Sequence, residues 1–309
     1  MGPQALSAVE ELSNPANLGV VILNWNGREH LLKCLQSIAA GTLQPRAVIV
    51  VDNHSTDGSP DAVSEAFPNT HVIRNSENLG FARANNQGGA AALKRGCELI
   101  LFLNNDTLVA PDALELMATA ARGPRVAIVN PMITDLHDEI WFAGARFRKW
   151  SGEVKHDLAP VDSSRGVIDI ESATGCALLT RADVVETLGP FDERFFIYYE
   201  DSDLSATLRR RGERIVLQPA AIVKHMVHAD SRKNAVTGFH YYLGTRNRLL
   251  YARRNLSTGR WVLFLAGFTV TFVVPRILAL LVTGRVAKAK ALARGYVDYF
   301  RKQFGPPRL

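Results

Sequence analysis

Residues 98–109 read ELILFLNNDTLV, and this stretch decides the fold. Leu99 to Leu103 form an unbroken apolar run, the pattern of a strand buried on both faces of a parallel sheet. Asn104, Asn105 and Asp106 then stand where that strand leaves the core. Ligands of open α/β sheets bind at the carboxyl ends of the strands, so Asp106 is placed to hold a metal or a polar ligand. A second reading stays open at this point. Asp106 and Thr107 are good turn residues, and Pro111 can start a helix, so the segment could be a loop that caps the next element.

Working outward, the same unit repeats. Gly19 to Leu23 is a β-branched strand ending in Asn24, Trp25, Asn26 and Gly27, and Leu31, Leu32, Leu35 and Ile38 recur at helical spacing after it. Ala47 to Val51 is a second strand that stops at Asp52, with a helix expected from Ser59 or Asp61. A third strand is expected at His71 to Ile73. Asn78, Leu79 and Gly80 then make a turn, and an Ala-rich helix runs to Arg95, its small side chains suited to close packing on a sheet. A helix around Leu114 to Met117 and a strand at Val126 to Val129 complete a βαβαβαβαβ alternation, which predicts an α/β fold with a mainly parallel sheet covered on both faces.

The pattern breaks after Pro131. Residues 135–169 scatter Trp141, Phe142, Phe147 and Trp150 among charges and glycines, which suggests a hairpin over the sheet edge. Ala173 to Leu179 reads as a strand, and Ala182 to Leu188 as a short helix. Glu200, Asp201 and Asp203 follow an aromatic run, Phe195 to Tyr199. Acids against an aromatic wall have their proton affinity raised by desolvation, as a general base requires, and acids in a first helical turn also oppose the helix dipole favourably. His225 ends a further strand-like run, with His228 three residues on. A His is more often packed or surface than a ligand; with oxygen from Asp106, imidazole from His225 would make a mixed site for Mn²⁺ or Mg²⁺.

Composition narrows the classes. At 309 residues the chain holds one large α/β domain or a domain with an appendage. Cys34, Cys97 and Cys176 are too far apart for a disulfide framework or zinc site and fit a reducing compartment. The first eighteen residues lack the charge and apolar core of a secretory signal and read as a disordered lead-in. The net charge of +6 conceals an asymmetry: residues 1–202 carry 16 Lys/Arg against 26 Asp/Glu, and residues 203–309 carry 20 against 4. So basic an end implies an anionic partner, nucleic acid or a phospholipid surface.

The same end favours the membrane. Trp261 to Pro275 is fifteen residues without a charge, and the apolar run continues past Arg276 to Thr283. Those 23 residues could span a bilayer core of ~30 Å. An arginine past the middle costs about 2.5–3.5 kcal/mol on insertion scales, however. The expectation is two helices broken at Pro275 that lie in the interface, with Arg246, Arg248, Arg253, Arg254 and Arg260 before them and Arg285, Lys288, Lys290 and Arg294 after them on anionic headgroups. A helical pair packed on the catalytic domain or on a second subunit is the alternative. Nucleic acid has no use for the apolar stretch.

Eight blocks in order resemble one family: VVILNWNG, VVDNHSTDGS, ENLGFARANNQG, FLNNDT, TGCALLTR, GPFDERFFIYYEDSDLSATLRRRG, VKHMVHADS and YYLGTRNRLLYARRN, together covering about residues 19–255. The chain resembles the family 2 inverting glycosyltransferases, in their rhamnosyltransferase-like branch of bacterial polysaccharide assembly. The resemblance implies a GT-A fold, with residues 19–131 binding a nucleotide-diphosphate sugar donor and 132–255 binding a saccharide or lipid-linked saccharide acceptor. Residues 256–309 would form a membrane-associating extension. It implies that Asn24 and Asn26 line the nucleotide pocket, that Asp52 bonds the base, and that Asn78 and Gly80 lie near the donor phosphates. Asp106 matches the last acid of the DxD motif, Asn104 standing where its first acid would be. Asp201 matches the base of a Glu-Asp pair with Glu200, and His225 a histidine on metal or diphosphate. An enzyme at the inner face of the cell membrane, dependent on a divalent cation, is the expectation. A sugar nucleotidyltransferase or a non-catalytic scaffold subunit is the rival, but LNWNGREH has one glycine where a phosphate loop needs several, and no GxGxxG follows the first strand.

Overall fold

A computed structural model describes residues 17–226 and 237–307. The strand expected at residues 98–109 is β4 (Leu99–Asn104). It joins β1 (Leu18–Asn24), β2 (Ala47–Asp52) and β3 (His71–Arg74) in the parallel order β4-β1-β2-β3. The connecting helices are α1 (Arg28–Ala39), α2 (Ser59–Ala66) and α3 (Gly80–Leu93). The small-residue argument for α3 holds. A Cβ on Gly88 would overlap Val21, and one on Gly89 would come within 3.1 Å of Phe102, so only glycine lets this helix lie so close to the sheet.

Register aligns the strand ends. Asn24 pairs with Asp52, and Leu23 with Asn104, so the polar residues that end β1, β2 and β4 share one edge. Beyond β4 the alternation predicts another parallel neighbour, but β6 (Val126–Thr134), reached through α4 (Ala113–Ala121), is not it. An antiparallel strand, β11 (Ala177–Arg181), lies between them. It is four residues later than the strand expected at Ala173, because Ala173 to Cys176 make the turn that enters it. β12 (Arg214–His225) runs parallel to β6, with β10 (Ile168–Asp169) antiparallel at the edge.

Asp106 does not merely cap a helix. Thr107–Val109 forms a short strand, β5, antiparallel to the end of β12, with Thr107 opposite His225. The 135–169 region holds β7 (Ile140–Phe142) and a separate hairpin of β8 (Ala145–Arg148) and β9 (Glu153–His156). Apolar cores fill both faces of the sheet, one against α1 and α4, the other against α3, α5 (Ala182–Leu188) and α6 (Glu200–Arg210).

The carboxyl-terminal helices correct one expectation. After α7 (Gly238–Asn255), helix runs without a break from Thr258 to Val282: α8 (Thr258–Phe268), a π-helical stretch at Thr269–Val273, and α9 (Val274–Val282). Pro275 does not break it. Proline lacks an N–H and crowds the preceding turn, and the wide turn just before it absorbs both effects. The break comes at Gly284, whose φ of +69° suits glycine. α10 (Val286–Phe300) then packs back along α7, where Tyr242 donates to Asp298 at 2.8 Å.

This is the one helix among the described residues long and apolar enough to cross a membrane, and little of it is buried against the rest of the protein. Trp261, Phe264 and Phe268 face inward, while Val262, Leu263, Val270, Leu278 and Val282 are exposed. Arg276 folds its guanidinium back onto the Tyr241 ring, donating to the hydroxyl at 2.7 Å. Arg246, expected on a headgroup, is instead fully buried, and Arg254 is tied to Asp203 at 2.7 Å.

Candidate active site

The end of β1 is built from side chains that satisfy each other. Asn24 donates to Asp52 Oδ1 at 3.0 Å and accepts from the Asn105 amide at 2.7 Å, while the Ser55 N–H donates to Asp52 Oδ2 at 2.9 Å. Asn24 and Asp52 are both buried, so they form the floor of this recess. Asn26 stands exposed at its rim in a left-handed conformation, φ +51°, and accepts from the Thr56 N–H. Alongside, Asn53 donates to Asn78 Oδ1 at 2.9 Å and to the Gly80 carbonyl at 3.2 Å. Asn78 in turn accepts from the Gly80 N–H, pinning the start of α3. Gly80 has φ +79° and lies against the Phe196 ring, which leaves no room for a Cβ.

The β5–β12 pairing brings Asp106 and His225 together, although 119 positions separate them in sequence. His225 Nε2 lies 3.2 Å from Asp106 Oδ2, and the Met226 N–H donates to the Asp106 carbonyl. Burial pushes the Asp106 carboxyl up, but the hydrogen bond and charge of His225 outweigh it and hold the group below the usual range. Asp106 Oδ1 and His225 Nδ1 are buried with no hydrogen-bond partner, so both have capacity for another ligand. His228 lies outside the described residues.

The acids line a cavity of about 870 Å³ that His225 of this pair also lines. Its wall includes Asn104, His225, Glu200 and Asp201, so sheet end and acid loop meet there; the recess of Asn24, Asn26, Asp52, Asn78 and Gly80 lies beside it, joined through Asn105. Glu200 and Asp201 open α6, as their first-turn chemistry suggested. Asp201 accepts the Gly175 N–H at 2.8 Å and the Ser202 N–H at 2.6 Å. Burial raises its pKa, opposed by these N–H groups and by the nearby charge of His156. Glu200 is pushed well above the ordinary carboxylate range by burial and then by the Asp201 charge. Asp203 turns away to Arg254.

The loop before these acids is held in an unusual shape. Phe196, Tyr198 and Tyr199 all have positive φ, rare for bulky residues. Buried Arg246 and Asn247 on α7 hold it: Arg246 donates to the carbonyls of Arg194, Phe195 and Gly305, and Asn247 to those of Phe195, Ile197 and Tyr198. Sequence reasoning missed this clamp, and TRN within a helical run carries no local signal for it. It also missed Trp141, which β7 brings to the cavity wall between His156, met edge-on, and His225, met at a tilt, with ring centroids 4.9 Å away on each side.

A mainly parallel sheet with polar strand ends facing an acid-headed helix defines the GT-A class of nucleotide-sugar transferases. Its shape is similar to mannosyltransferase PcManGT from Pyrobaculum calidifontis, solved with GDP-Man and Mn²⁺, at a TM-score of 0.55 and 17% identity over 97% of this chain and 94% of that one. The profile of Glycosyl transferase family 2 matches residues 19–187, and the chain belongs to that family of glycosyltransferases. Among its relatives, N-acetylglucosaminyl-diphospho-decaprenol L-rhamnosyltransferase of Mycobacterium tuberculosis is 27% identical, covering 71% of this chain and 79% of the relative. The dTDP-rhamnosyl transferase RfbF of Shigella flexneri is 24% identical, covering 78% and 81%.

Proposed function

We propose that this protein transfers a sugar, rhamnose by likeness to its relatives, from a nucleotide-diphosphate donor to a hydroxyl of a saccharide or lipid-linked saccharide during cell-surface polysaccharide synthesis, with inversion. The observation that carries this reading is Asp201, fixed by two N–H groups on the wall of the same cavity that holds His225 and Asn104. Asp201 takes the acceptor proton as that oxygen bonds to the anomeric carbon, and the bond from that carbon to the donor diphosphate breaks on the opposite side. Glu200, whose carboxyl is pushed well above the ordinary range by burial and then by the Asp201 charge, stands beside it as the other acid of the pair. Asn26, Asn78 and Gly80 surround the donor, with Asn24 and Asp52 beneath it.

Asp106 and His225 fit a divalent cation, Mn²⁺ or Mg²⁺. Among the described residues no cluster of three or more His, Cys, Asp or Glu could hold a cation, so Asp106 and His225 would hold one only together with oxygens of the bound donor. When bound, the cation neutralises charge on the leaving diphosphate. The orphaned atoms Asp106 Oδ1 and His225 Nδ1 support this assignment. The exposed apolar helix and its basic flanks support a peripheral position for the enzyme on the inner face of the cell membrane.

The test is a thermal-shift screen of nucleotide sugars with and without Mn²⁺, followed by transfer assays in which NMR reads the anomeric configuration of the product. A donor should stabilise the fold by mass action, more so with the cation. A product that retains the donor configuration overturns the single-displacement reading.

A further inference from the structure

The β8–β9 hairpin carries a feature that the transfer reaction does not use. Trp150, at its tip, is 87% exposed, the most exposed tryptophan in the described chain. Exposed Lys149 precedes it, and Arg148 is paired only loosely with Glu153 at 4.0 Å. A large apolar ring held out in water beside cations needs an explanation, because an indole is an amphipathic group favoured where apolar and wet phases meet.

The tip is rigidly mounted. Arg248 Nε donates to the Ser151 carbonyl at 2.6 Å, and the Tyr199 hydroxyl donates to the Gly152 carbonyl at 3.2 Å. Gly152, with φ +70°, lies so close to the Phe264 ring of α8 that a Cβ would meet it at 2.6 Å. The hairpin therefore leans directly on the long apolar helix. At its other end the same hairpin supplies Val154 and His156 to the cavity wall.

We infer that Trp150 and the exposed face of the 258–282 helix form one docking surface for an anionic phospholipid bilayer, the indole seating at the headgroup level. This rests on the peripheral-membrane reading above and extends it to the hairpin. The occupant is chosen by charge and shape. The apolar face is bordered by exposed Arg260 and Arg285, and the tip by Lys149, which suits anionic headgroups around an apolar layer better than the mixed surface of a second protein. The consequence is orientation: two contacts, helix and tip, fix the direction in which the cavity faces the membrane.

The experiment uses the full chain with vesicles of phosphatidylglycerol and phosphatidylcholine, some carrying brominated phosphatidylcholine, and with phosphatidylcholine alone. Flotation and tryptophan quenching are compared for the parent, Trp150→Phe, Trp150→Ser and the helix variant Leu263→Asp/Val270→Asp. Expected are quenching in the parent that drops in Trp150→Phe, and an affinity for anionic vesicles about tenfold lower in Trp150→Ser with an unchanged melting temperature. If the parent floats but Trp150→Phe is quenched as strongly and Trp150→Ser binds as tightly, the hairpin inference is overturned while the helix reading stands. If the parent ignores vesicles, both fail. A concentration-dependent dimer that protects Trp150 from aqueous iodide without lipid assigns the surface to a second copy and overturns the inference.

Discussion

The side-chain amide of Asn247 donates to the carbonyl of Phe195 at 2.8 Å from a helix far downstream in the sequence. The same amide reaches the Ile197 and Tyr198 carbonyls, so one buried group ties three points of the loop that presents Glu200 and Asp201. Asn247→Ala leaves Arg246 on the Phe195 carbonyl but removes this donor from the partly buried Ile197 and Tyr198 carbonyls, at about 1–3 kcal/mol. We predict that loss in urea denaturation, together with a lower transfer rate. An unaltered denaturation midpoint would mean that the loop holds its positive-φ shape unaided.

Glu200→Gln is predicted to stabilise the protein at alkaline pH. Burial raises the Glu200 pKa in the fold, so as pH rises the unfolded chain loses its proton first, and stability falls between the ordinary carboxylate range and the raised folded value. The neutral amide removes that penalty. Melting curves should show the variant above the parent at pH 8, by about 2–4 °C for each kcal/mol relieved, with the gap closing toward pH 4. A gap of constant size across that range would show that Glu200 titrates no differently in the fold.

For Asp201→Asn we expect a transfer rate reduced about 10²–10⁴-fold with donor affinity retained. The parent rate should climb with pH as the buried acid loses its proton, and this acid limb should vanish in the variant. Near-normal turnover in Asp201→Asn, alongside a collapse in Glu200→Gln, would move the base by one residue.

Asp106→Ala is predicted to fold but to lose cation-dependent donor binding, because it removes the carboxylate that faces His225. Titration calorimetry with and without Mn²⁺ checks this. Equal donor affinity in variant and parent under both conditions would remove the cation from this pair.

Gly80→Ala should lower the melting temperature and weaken donor binding together. A side chain there must adopt φ near +79°, costing about 1–2 kcal/mol, and must also displace the Phe196 ring. The Phe81 N–H donates to the Phe196 carbonyl, so the disturbance reaches the acid loop directly. A variant that binds donor normally would show that the ring can yield.

The periodic half of the chain was legible because each strand and helix there declares itself locally. β1, β2 and β4 end in polar residues at the same level, and the apolar runs alone reveal that level. The insertion of antiparallel β11 between β4 and β6 was not legible, since nothing local distinguishes a strand's direction. Asp106 and His225 could each be suspected, but their meeting depends on β5, three residues long and below the reach of periodicity. The Arg246–Asn247 clamp was hidden for a related reason: its partners are backbone carbonyls, which every residue has. The basic count of the tail misled at Arg246, because composition cannot tell a buried guanidinium from one in solvent.

Gly305 accepts from Arg246 and donates from its own N–H to the Arg194 carbonyl at 3.0 Å, which fastens the acid loop to nearly the last described residue. Synthesis proceeds from the amino terminus, and early-made units fold first. The strand ends around Asn24, Asp52 and Asp106 are thus in place well before the acids of α6 acquire their final anchor. A nascent chain that has not yet reached residue 305 would have its strand-end residues in place but lack this tie on the loop that presents Glu200 and Asp201, so the position of the two acids depends on a stretch made long after the sheet.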